Sequence, residues 1–104
     1  MTNVGHNSGD AAASQRHVVT VSLPTALVRL FPGSPNQVQI EARDVAEVVD
    51  GLEERWPGMR DRLTDSRPSI RKHLNIFVGA DKAQLDTPVS AGTKVTILTA
   101  MSGG

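Results

Sequence analysis

The chain has 104 residues, 38% apolar and 3% aromatic, enough for one small domain with a core of Val, Leu and Ile but not for a deep enzyme cleft. Eleven basic residues balance eleven acidic ones, leaving no global field that favours nucleic acid or an anionic membrane. The absence of cysteine excludes disulfides, thiolate metal sites and cysteine nucleophiles, and no apolar run approaches the roughly 20 residues that cross a bilayer.

Residues 1–15 are rich in Asn, Gly, Ser and Ala and lack apolar periodicity, so a disordered N-terminal tail is expected. They do not read as a signal peptide, and a cytoplasmic location is the expectation. From Arg16 the pattern changes. His17 to Leu23 alternates, with Val19, Val21 and Leu23 on one face of a half-buried strand. Ala26 to Phe31 is apolar but irregular, and Pro32-Gly33-Ser34-Pro35-Asn36 is turn chemistry. Gln37 to Glu41 alternates again and places Val38 and Ile40 inside, which predicts an N-terminal hairpin.

The spacing predicts a helix over Asp44 to Trp56. Asp44 and Glu47 form a capping box, and Val45, Val48, Val49, Leu52 and Trp56 make one apolar stripe. Pro57-Gly58 stops it, and Met59 and Leu63 belong to a short turn packed beneath. Thr64 to Arg71 reads as a polar loop. His73 to Val78 is a strand with Leu74, Ile76 and Val78 on one face. Gly79 to Lys82 is a turn, Leu85 an isolated apolar anchor, and Lys94 to Ala100 a last strand with Val95 and Ile97 facing in.

One long helix covers one face of a small mixed sheet, so the fold class is α+β. The expected form is a β-grasp domain over residues 16–100, a four- to five-stranded sheet under one main helix. Residues 101–104 follow as a flexible C-terminal tail.

The ordered set of Val18 to Leu23, Asp44 to Val48, Leu52 to Gly58, His73 to Val78, Leu85 to Val89 with Ala91-Gly92, and Val95 to Leu98 followed by Ser102-Gly103-Gly104 resembles the ThiS/MoaD sulfur-carrier family. The resemblance spans about residues 17–104. It departs from the family pattern at Gly79 to Lys82, at Thr93 and at Thr99-Ala100.

The resemblance implies a ubiquitin-like fold and a carrier that is not itself an enzyme. Gly104 would be the working residue, adenylated by a separate enzyme with ATP and converted to a thiocarboxylate. The implied partners are that adenylating enzyme, a sulfur donor and a sulfur-accepting enzyme of cofactor, cysteine or sulfur-metabolite biosynthesis, of the thiamine or molybdopterin kind. The activation step has a physical basis. A free α-carboxylate, with a pKa of about 3.3–3.7, is ionised at neutral pH and is a poor electrophile until it is activated.

Met101, Ser102, Gly103 and Gly104 would thread the partner's active site, where small residues let the backbone approach closely. Phe77 and Leu98 are candidate docking residues for the activating enzyme, with partial burial by neighbouring loops the competing reading. Arg67, Arg71 and Lys72 either steer an acidic partner or simply solvate their loop.

No metal ligand set, nucleophile–base pair or phosphate loop is recognisable, so no bound cofactor is expected. The free chain is expected to be a monomer. Two alternatives stay open: a protein modifier joined to lysines through Gly104, and the small subunit of a molybdopterin-synthase-like enzyme.

Overall fold

Strand β1 (His17–Ser22) buries Val19 and Val21 completely, and Leu23 just beyond it is buried too, as the alternation predicts. The computed structural model describes residues 16–99. The expected N-terminal tail, residues 1–15, and residues 100–104 lie outside the described residues.

Pro24 caps a short helix, α1 (Thr25–Leu30), where the sequence pattern shows only an irregular apolar stretch. Its carbonyl accepts from the N–H groups of Leu27 and Val28 at 3.0 and 3.1 Å. Six residues give less than two helical turns, and Leu27 is the only buried one, so no periodicity can register. The Ser34 hydroxyl donates to the Phe31 carbonyl at 2.6 Å and closes the following turn.

Strand β2 (Gln37–Ala42) then runs antiparallel to β1, pairing Ile40 with Val19 and Val38 with Val21. Ile40 and Ala42 are buried. Val38, expected inside, is half-buried.

Helix α2 (Val45–Arg55) starts at Asp44, whose carboxylate accepts from the Glu47 N–H at 2.9 Å. Glu47 reaches one residue further back than a capping box requires, accepting from the Arg43 N–H at 2.8 Å. The N–H groups of Val45 and Ala46 donate to the carbonyls of Thr87 and Leu85, at 3.0 and 2.8 Å. A loop far along the chain thus satisfies the helix terminus.

Val45, Val48, Val49 and Leu52 face the sheet and are buried. The chain turns at Gly58, in the left-handed region at φ 101°, into α3 (Met59–Leu63), whose Met59 and Leu63 are fully buried. The Glu53 carboxylate accepts from the N–H groups of Gly58 and Arg60, at 3.1 and 2.9 Å, and so ties α3 to α2.

Strand β3 (Leu74–Val78) is followed by a tight turn with Gly79 at φ 62°. The two-residue strand β4 (Asp81–Lys82) occupies part of what reads as turn from the sequence. The last strand, β5 (Lys94–Thr99), inserts between β1 and β3, parallel to the first and antiparallel to the second. The sheet order is β2-β1-β5-β3-β4. Two hairpins flanking a central final strand, with one face under the main helix, make this the β-grasp arrangement, an α+β fold with a mixed five-stranded sheet. Among the described residues, no buried side-chain polar atom lacks a hydrogen-bond partner.

Candidate functional site: the root of the C-terminal tail

The residues expected to carry the working chemistry, Met101, Ser102, Gly103 and Gly104, lie outside the described residues. The structure does define the platform from which they depart. β5 is the central strand. Its Val95 and Ile97 are buried at 0% and 1% exposure, anchored between β1 and β3. Thr99, the last described residue, is paired with Leu74 of β3. The point where the tail leaves is therefore held by ladder hydrogen bonds and by core burial rather than by a loop.

The uncovered face of the sheet carries the outward residues of β5, namely Lys94, Thr96 and Leu98. Asn75 and Phe77 stand opposite Leu98 and Thr96 on β3. Phe77 and Leu98 are thus diagonal neighbours on the same face, separated by about 7–8 Å by strand geometry. Leu98 is 46% exposed. Phe77 is half-buried. Val18, the other exposed apolar residue on this face, lies beside Gly92, at the far end of β5 from Leu98. The Phe77–Leu98 pair is therefore the apolar group nearest the tail root on this face.

The ion pairs among the described residues lie elsewhere. Glu47 binds Arg43 and, at 3.5 Å, Arg16, and Arg60 pairs with Asp50 at 2.8 Å. Hydrogen bonding from the Arg43 guanidinium holds the Glu47 carboxyl down at about 2. Of the three basic residues singled out in the loop before β3, Arg67 pairs with Asp65, whose carboxyl it holds at about 2. Arg71 donates through Nε to the Asp61 carbonyl at 2.7 Å. Lys72 is exposed. Sequence reasoning missed Arg62 and His73, which line one cleft with Arg71. Only the packing of α3 against the loop brings these three together, so no local pattern could have found them.

No group of three or more His, Asp or Glu residues among those described is placed to hold a metal ion. No described helix is long and apolar enough to cross a membrane. β5 thus ends at a firmly paired Thr99 beside the apolar Phe77–Leu98 pair.

The sequence model of the ThiS family matches residues 21–104. The fold matches a chain of the Amycolatopsis orientalis BexX/CysO complex with a TM-score of 0.74 and 31% identity, covering 83% of this chain and 99% of that one. Mycobacterium tuberculosis CysO matches with a TM-score of 0.72 and 30% identity, covering 80% and 99%. SAMP1 from Haloferax volcanii, at 21% identity and a TM-score of 0.70 over 84% and 99%, shares the fold. No curated protein sequence matches the chain.

Proposed function

The chain belongs to the ThiS family, and from that premise we propose that it is a sulfur carrier whose reactive group is the carboxylate of Gly104. The observation that carries the reading is the placement of β5: a Gly-Gly segment at the fourth and fifth residues beyond a centrally paired strand whose Val95 and Ile97 are buried. An adenylating enzyme activates the carboxylate with ATP, joining a carboxylate oxygen to the α-phosphorus and releasing pyrophosphate. Sulfide then attacks the acyl carbon and displaces AMP, leaving a thiocarboxylate. A persulfide donor instead displaces AMP to leave an acyl disulfide, whose S–S bond a second thiol of the donor cleaves, releasing the thiocarboxylate and forming a disulfide on the donor. That sulfur passes to an accepting enzyme of biosynthesis.

The chain itself is the substrate in these steps, and its own residues supply position. Five residues, the number from 100 to 104, reach at most roughly 17 Å at about 3.3–3.6 Å each, enough for the end to enter a nucleotide site while the globular body docks outside. Gly103 and Gly104 carry no Cβ and fit a channel shaped for bare backbone. Phe77 and Leu98 are the docking surface on the open sheet face, where exposed apolar groups mark a partner.

The same Gly-Gly segment beyond the same strand supports a second reading, conjugation of Gly104 to lysines. The two diverge after the adenylate. Mass spectrometry of the chain isolated from its native cell separates them: a carrier gains the mass difference of sulfur for oxygen on its last residue. High-mass conjugates with no such gain would replace the carrier reading by the modifier one.

A further inference from the structure

A cleft of about 590 Å³ opens between α1 and the segment leading into β3. One wall is apolar: Leu30, 52% exposed at the end of α1, and Phe31 after it. The other wall holds Arg62 from α3 together with Arg71 and His73, and Asp61 is its one carboxylate. Among the described residues Arg62 and His73 have no ion pair and no side-chain hydrogen bond. Arg71 is fixed from both ends, its N–H donating to the Leu63 carbonyl at 3.0 Å and its Nε to the Asp61 carbonyl at 2.7 Å. The remaining guanidinium nitrogens are pre-oriented at no further cost in side-chain entropy.

Position makes the cleft pertinent. His73 immediately precedes Leu74, which pairs with Thr99 at the tail root. A protein that takes in residues 100–104, with a reach of roughly 17 Å, must bring its own surface up to this end of the sheet. An exposed leucine facing two guanidiniums is complementary to a carboxylate next to an apolar side chain.

We propose that this cleft docks an acidic segment, with an apolar side chain beside its carboxylates, belonging to the protein that receives the tail. The identity of the owner rests on the functional reading above; the cleft's preference for acidic, apolar peptide does not.

The test is a titration of the ¹⁵N-labelled full-length chain at low salt with two synthetic peptides, one alternating Glu and Leu and one alternating Lys and Leu. The acidic peptide shifts the amides of Leu30, Phe31, Arg62 and His73 saturably, and added salt weakens it. The basic peptide leaves them in place. Arg62→Glu, at an exposed position, keeps the dispersed spectrum of the fold and weakens the acidic peptide roughly tenfold. Leu30→Ser weakens it by removing the apolar wall. A chain lacking Gly103 and Gly104 binds the peptide as the intact chain does, so failure of tail activation leaves this result standing. No shift with the acidic peptide, shifts confined to Phe77 and Leu98, or undiminished binding by Arg62→Glu would each overturn the proposal.

Discussion

Two residues show how a substitution that looks benign in the sequence is decided by its neighbours. Gly51 lies inside α2, where glycine costs about 0.5–1 kcal/mol relative to alanine. Propensity alone would make Gly51→Ala stabilising. A Cβ built at Gly51 falls 2.6 Å from Cγ2 of Ile40, a branch methyl on a residue that is 2% exposed and cannot swing away. Overpacking of this kind costs about 1–3 kcal/mol, which outweighs the propensity gain. Gly51→Ala is therefore expected to lower stability by about 1 kcal/mol in a urea titration, the difference of those two effects. A stabilised variant would show that α2 and β2 separate easily.

Glu47 sets part of the acid limit. Its carboxyl sits at about 2 rather than the ordinary 4.5, chiefly because the Arg43 guanidinium hydrogen-bonds to its charged form. A carboxyl depressed in the folded state stabilises the fold fully above its unfolded value and loses that contribution as the pH falls. The loss from Glu47 therefore runs from about pH 4.5 down to about 2. Glu47→Gln removes that titration, so melting temperatures measured between about pH 6 and 2.5 should fall less steeply for the variant. Parallel curves would remove Glu47 from the acid limit. Asp65, lowered by Arg67, titrates in the same direction, but its partner is well exposed and the pair is screened by solvent.

Among the elements, α2 is the main cover of the core. Leu52 is fully buried on the sheet-facing stripe, and Leu52→Ala is expected to cost about 2–5 kcal/mol, a large share of the stability of a domain this size. A loss under about 1 kcal/mol would contradict the packing of that stripe. This helix was legible in the sequence because eleven residues carry a sustained stripe, a capping Asp44 and a Pro57-Gly58 stop. The longer strands were legible by alternation. What lay beyond the sequence was non-local or too short. α1 buries only Leu27. β4 is two exposed residues whose pairing with Phe77 and Val78 defines it. The loop carbonyls of Leu85 and Thr87 that close the α2 terminus carry no side-chain signature at all. The cleft needs Leu30 and His73, distant in the chain, to be brought together by the fold. For the candidate site, the sequence singled out Phe77 and Leu98 one by one, and the register of β3 against β5 puts them on one face.

At the scale of the whole molecule, the topology separates folding from function. The core closes with Val95 and Ile97 of β5, and everything from Met101 onward adds only one large side chain. Shortening the end should therefore leave the thermal transition in place while abolishing activation. Deleting Gly103 and Gly104 moves the carboxylate back by about 7 Å, at roughly 3.3–3.6 Å per residue, out of reach of a nucleotide site matched to the full tail.

The most direct measurement is ATP–pyrophosphate exchange catalysed by the cognate adenylating enzyme. The intact chain, the chain lacking Gly103 and Gly104, and a Gly104→Ala variant are compared, with folding of each checked by circular dichroism. Exchange is expected with the intact chain, none with the truncated one despite an unchanged fold, and reduced exchange with Gly104→Ala, whose Cβ crowds a channel shaped for bare backbone. Equal exchange from the intact and truncated chains would contradict it.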